Sequence, residues 1–112
     1  MSKIQEIVET RRQAHQRLLD LDSKAYKAFL KLEEAAFSPG HVPVKIKELI
    51  AVGISVVTDC ESCMEWHIRK AARAGATMEE MVETLGVAME IGGGRATVSA
   101  RFALEAMDHV FK

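Results

Sequence analysis

Residues 44–77, VKIKELIAVGISVVTDCESCMEWHIRKAARAGAT, decide how this chain folds. Pro43 suits a first helical turn, where its missing N–H costs little. After it, Ile46, Leu49, Ile50, Gly53, Ile54 and Val57 recur at helical spacing and predict a helix over about 44–58. The run LIAVGISVV (49–57) carries no charge on any side. Most of that helix's circumference is therefore expected to be covered, which a single neighbouring helix cannot do. Two arrangements satisfy this: a central helix within one chain, or burial completed by a second copy.

A second helix starts near Cys60 or Glu61 and ends at Gly75, a residue suited to a left-handed cap. Arg69, Lys70 and Arg73 near its C-terminus complement the helix dipole. At ~100° per residue, Cys60, Cys63 and His67 fall within an arc of roughly 60°, so they share a face if all lie on the helix. Unpaired N–H groups at a helix start favour thiolate over thiol. The CxxC spacing also lets the two sulfurs meet across one turn.

Only a few residues separate these two helices, which predicts an antiparallel hairpin. Folding about residues 58–59 sets Glu48 opposite roughly position 69, within a turn of His67. A carboxylate on so apolar a segment needs a partner, and His67 is the candidate. The set then reads as nucleophile, base and orienting acid. Two other readings use the same residues. Zinc would take Cys60, Cys63 and His67, with Glu48, Asp59 or His41 as a fourth ligand, in a helical interaction module. A buried inert cysteine pair would be structural, although it has no need of CxxC spacing.

Further helices are expected on both sides. One over about 3–19 aligns Ile4, Ile7, Val8, His15, Leu18 and Leu19. The next, over about 23–37, aligns Ala25, Ala28, Phe29, Leu32 and Ala36, before Ser38-Pro39-Gly40 breaks the pattern. Beyond Gly75, Thr77 and Glu80 form a capping-box pattern for a helix with Met78, Met81, Val82, Leu85 and Met89 facing inward. Gly92-Gly93-Gly94 ends it. A last helix over about 95–110 carries Val98, Phe102, Ala103, Ala106 and Val110. GGGR lacks the GxxxxGK[ST] spacing of a phosphate loop, so a helix-to-helix turn accounts for it. The expectation is an all-α, six-helix bundle forming one domain over 1–112.

Composition narrows the function. The net charge of −1, from 15 basic and 16 acidic residues, gives no electrostatic footprint for nucleic acid. No apolar run approaches ~18 residues, so no membrane span is expected. Residues 1–12 contain no apolar signal-peptide core, which makes the cytoplasm the expected compartment. Two cysteines close together in such a chain suggest redox or metal chemistry rather than a disulfide framework.

Residues 44–77 resemble the AhpD-like, or carboxymuconolactone decarboxylase, family. Its redox branch carries a glutamate, then CxxC twelve residues later, then xxxH, matched here by Glu48, Cys60, Cys63 and His67. The resemblance is most specific over about 43–95; residues 1–36 match only in being helical. It implies an all-α bundle assembled as homotrimers or homohexamers. It also implies a thiol-dependent hydroperoxide reductase, with Cys63 peroxidatic and Cys60 resolving. Glu48 and His67 would then relay protons, and no cofactor or metal would be required. The implied substrates are an organic hydroperoxide or small disulfide, and the reductant a dithiol, in some members a lipoyl-bearing protein. At Ser62 the sequence departs from peroxidase members that carry histidine just before the second cysteine. The decarboxylase activity of the wider family needs no cysteine pair. It would also want cationic groups near its substrate, for which Lys45, Lys47 and Arg95 are the candidates.

Overall fold

In a computed structural model that describes all of residues 1–112, six α-helices and no strand make up the chain. They are α1 (Lys3–Asp20), α2 (Lys24–Ala36), α3 (Val44–Val57), α4 (Glu61–Arg73), α5 (Met78–Gly92) and α6 (Gly94–Val110). Two compact units result, Met1–Ser38 and Pro39–Lys112.

The first unit is a helical pair. Ser2 caps α1 through a reciprocal capping box with Gln5, and Ser23 caps α2 by accepting the Tyr26 N–H. His15 Nδ1 meets the Tyr26 hydroxyl at 2.5 Å with the rings edge-on, which ties α1 to α2. That contact decides which side of α2 turns inward. Tyr26, Leu30, Glu33 and Phe37 are half-buried, whereas the apolar stripe of Ala25, Ala28, Phe29, Leu32 and Ala36 is exposed. The stripe does exist as an apolar face, but α1 packs beside it rather than over it.

The second unit is built around α3, which touches α4, α5 and α6. Val52, Val56, Met64, Ile68, Met81 and Met107 are its largest fully buried side chains. On α6 the buried set is mostly small, Ala96, Ser99, Ala100, Ala103 and Ala106, which allows its neighbours close approach. Closest of all is the junction of α5 and α6. A Cβ on Gly92 would lie 2.7 Å from the Ala96 Cβ and 3.4 Å from Val57 Cγ2. Of the three glycines only Gly93 breaks the helix, at φ +71°, and α6 already begins at Gly94. The capping box at Thr77 and Glu80 forms as the sequence suggests. Glu80 also reaches Lys45 on α3 at 3.1 Å. The Thr77 N–H, followed by Lys45, holds the Glu80 carboxyl below its usual pKa.

Within the chain only one side of α3 is covered, rather than most of its circumference. Glu48, Val52, Ser55 and Val56 are buried, while Ile46, Ile50, Ile54 and Val57 remain 39–58% exposed. The exposed stripe borders α5, which runs alongside: Lys45 meets Glu80 at one end and Val57 meets Gly92 at the other. Between the two helices lies an open groove of about 440 Å³. Val82, expected inside, is also exposed, as is Val98, because the core sides of α5 and α6 are taken by Met81, Leu85 and Ala88 and by the alanines.

Candidate functional site

The connection from α3 to α4 takes three residues, 58–60. Thr58 N–H bonds to Ile54 O, Asp59 N–H to Val56 O and Cys60 N–H to Ser55 O, which closes the turn tightly. Asp59 sits at φ +55°, a left-handed conformation that aspartate tolerates better than most residues. Its carboxylate accepts the Ser99 hydroxyl of α6 at 2.8 Å, and Arg95 lies 3.8 Å away. The turn that precedes the cysteines is thus fastened to α6.

Cys60 is the N-cap of α4, and its Sγ accepts the Cys63 N–H at 3.2 Å. The two residues are joined as a disulfide across a Cα–Cα distance of 5.2 Å. Cys60 is half-buried and Cys63 exposed. One turn further along α4, His67 Nδ1 meets Glu48 Oε1 of α3 at 2.7 Å. The side chains are 16% and 7% exposed, so this pair is largely withdrawn from water. An ionised carboxylate only accepts, so the Nδ1–H of His67 is the donor in this hydrogen bond. The partnership expected between Glu48 and His67 forms, two residues from the simple hairpin register.

The sequence reading missed two contributions, Glu65 altogether and the turn-fastening role of a residue it had considered only as a metal ligand. Glu65, 2% exposed, holds Arg69 through Nε at 3.0 Å and a second nitrogen at 3.4 Å, which fixes the outer side of α4. Trp66 lies beneath both Arg69 and Lys70, 5.1 and 4.8 Å from its ring centroid, so its role is packing. The other is Asp59. An aspartate directly before CxxC at a helix-helix turn was a readable sign of left-handed backbone, but its partner Ser99 lies forty residues away.

No group of three or more His, Cys, Asp or Glu side chains is arranged to hold a metal ion. Glu48 is engaged by His67, Asp59 by Ser99, and each sulfur by the other. Lys45 pairs with Glu80 near the start of α3, whereas Arg95 lies by Asp59 beyond its end.

The fold and site define a small all-helical protein with a CxxC pair at a helix start and an acid–imidazole couple one turn away. The chain belongs to the carboxymuconolactone decarboxylase family, whose sequence profile matches residues 23–106. It is 40% identical over 83 residues to uncharacterised protein 4 in the cox locus of Paracoccus denitrificans, covering 74% of this chain and 75% of that one. To an uncharacterised protein of Cupriavidus necator it is 38% identical over 84 residues, 75% and 74% of the two chains. Among solved structures, a family protein from Legionella pneumophila in its apo form superposes with a TM-score of 0.93, at 31% identity over 100% of both chains. A Thermotoga maritima family protein, whose involvement in antioxidative response is a suggestion, gives 0.86 at 29% identity over 95% of this chain and 90% of its own. The family includes enzymes and AhpD-like proteins. No helix here is long and apolar enough to cross a membrane.

Proposed function

We propose that this protein is a thiol-dependent hydroperoxide reductase that cycles between a Cys60–Cys63 dithiol and the disulfide. The observation that carries this reading is the pair itself at the start of α4, one turn from a histidine held by a buried glutamate. The suggested antioxidative role of the Thermotoga maritima relative points the same way.

In the reduced form the Cys63 thiolate attacks the terminal oxygen of ROOH. The O–O bond breaks, an S–OH bond forms, and the departing alkoxide takes a proton to leave as ROH. His67, first as acceptor of the Cys63 proton and then as donor to the alkoxide, carries it; Glu48 holds the ring and stabilises its cationic form. The Cys60 thiolate then attacks the Cys63 sulfur, an S–S bond forms, and hydroxide leaves as water after protonation. Two electrons pass from the two thiols to one peroxide. An external dithiol, such as a lipoyl group on a partner protein, returns them by thiol–disulfide exchange. A small disulfide substrate enters through the same exchange.

Exposure favours Cys63 as the attacking sulfur, as does its place four residues before His67 on α4. The reverse assignment also has one observation behind it. Cys60 is the sulfur that receives a helix-capping N–H, which stabilises a thiolate. Replacement decides between them. With one equivalent of an organic hydroperoxide, the Cys60→Ser protein should yield a trappable sulfenic acid at position 63, and the wild type should lose two thiols. A sulfenic acid at position 60 in Cys63→Ser, formed as fast, reverses the roles. Peroxide turnover that survives loss of both cysteines would end the proposal, and turnover of a small lactone that survives the same loss would favour a non-redox reaction on the same scaffold.

A further inference from the structure

We infer that Ser99, aided by Arg95, is a positioning residue for the cysteine pair. It holds the Asp59 carboxylate against α6 and so keeps a negative charge off the start of α4, where the sulfurs ionise; this rests on the reading of Cys60 and Cys63 as a pair that is opened and re-formed.

Three observations carry it. The first is where the hydroxyl goes. Ser55, Thr84 and Thr97 donate theirs to a carbonyl three or four residues back on their own helix, as helical hydroxyls commonly do. Ser99 instead donates across to Asp59 Oδ1 at 2.8 Å, from a position only 6% exposed. Ala96, Ala100 and Ala103 are buried on the same helix, so a need for small size alone would be met by one more alanine. The second observation is the backbone. Asp59 stands at φ +55°, which a non-glycine residue keeps where its surroundings hold it. The third is what the acid would otherwise do. Asp59 directly precedes Cys60, the N-cap of α4, and the first turn of a helix carries N–H groups without a helical acceptor. A carboxylate released there is drawn to the same N–H groups that stabilise a thiolate, and it repels the thiolate as well. Bonded to Ser99, with the Arg95 guanidinium 3.8 Å from its other oxygen, it is engaged on α6 instead.

The other ionisable groups around the pair are Glu61 in the first turn of α4 and the Glu48–His67 couple. A change at Ser99 replaces neither. Its effect has a definite sign. With the thiolate less stable, the reduced pair is disfavoured. In exchange with glutathione, two glutathione thiols are oxidised to glutathione disulfide as the Cys60–Cys63 bond is reduced to two thiols. Loss of Ser99 therefore moves that equilibrium toward the protein disulfide.

The test compares full-length wild type and Ser99→Ala with no peroxide present. The thiolate fraction of the reduced protein at neutral pH, read by ultraviolet absorbance, should fall by about threefold. The glutathione equilibrium should shift toward the disulfide. Arg95→Gln, at a side chain 80% exposed, should act in the same direction and more weakly. Asp59→Asn keeps a residue that tolerates the left-handed turn but removes the charge. In that background Ser99→Ala should change neither quantity. Wild-type values in Ser99→Ala overturn the inference. So does an equal fall in the Asp59→Asn chain, which would trace the effect to packing. If Ser99→Ala does not fold, Arg95→Gln decides, and an unchanged or increased thiolate fraction rejects the inference. Absent peroxide reduction alongside these shifts would end the hydroperoxide reading alone; turnover without them would end this inference alone.

Discussion

At the scale of single residues, the Glu48–His67 contact has the clearest consequences. A buried carboxylate opposite an imidazole fixes the tautomer and the orientation of the ring. Glu48→Gln keeps the shape but replaces a full charge by a dipole. It should slow peroxide-driven disulfide formation by about 10-fold to 100-fold while leaving the disulfide able to form, measured by stopped-flow loss of thiols. An unchanged rate would remove Glu48 from the relay. Gly92 offers a purely structural counterpart. Its hydrogen faces Ala96 at a distance no methyl can occupy, with Val57 close behind. Gly92→Ala should therefore cost about 1–3 kcal/mol in urea denaturation even though alanine is the better helix former. A neutral or stabilising effect would mean that α5 and α6 can part there.

At the scale of elements, the helix ends are local and the sides of helices are not. Ser2, Ser23 and Thr77 each accept the N–H three residues on, and these caps depend on neighbours in sequence alone. Thr77→Ala should cost about 1 kcal/mol of stability by the same denaturation measurement. The Glu80 side of that box gives a pH dependence. Its carboxyl pKa is lowered in the folded chain by the Thr77 N–H and then by Lys45. The stabilisation is therefore present above the unfolded-state value and is lost as pH falls through the lower folded value. Glu80→Gln should flatten the acid limb of the stability curve, with the difference from wild type largest at neutral pH and vanishing in strong acid. Curves that stay parallel throughout would assign the acid dependence elsewhere. The helical periodicity, by contrast, located every element but did not say which side turned inward. On α2 and α3 the most regular apolar stripes are the ones left exposed.

For the whole molecule, a reversible redox site must not double as the staple that holds the fold. The ring closed by Cys60 and Cys63 contains a sequence separation of only 3. On a chain-entropy scale so short a loop contributes about 2 kcal/mol or less. The core of Val52, Val56, Met64, Ile68, Met81 and Met107 has no sulfur–sulfur bond in it. Reduction should leave far-ultraviolet circular dichroism unchanged and lower the unfolding midpoint by about 8 °C or less. Wholesale unfolding on reduction would show a structural disulfide and count against catalysis by the pair.

By itself the sequence determined six helices, their caps, the CxxC turn at the start of α4 and the pairing of Glu48 with His67. These follow from backbone propensity and from the cost of burying a lone carboxylate, both of which act within a hairpin of some thirty residues. Only the tertiary structure decided which faces of α3 and α5 meet the core and which side of α2 turns to α1. It also tied Asp59 to Ser99 across forty residues and revealed Glu65 as a buried anchor for Arg69. An apolar stripe states that something must cover it, but not whether the cover is the same chain. A hydrogen bond between distant residues leaves no periodic trace in either segment, so it becomes visible only once the helices are placed.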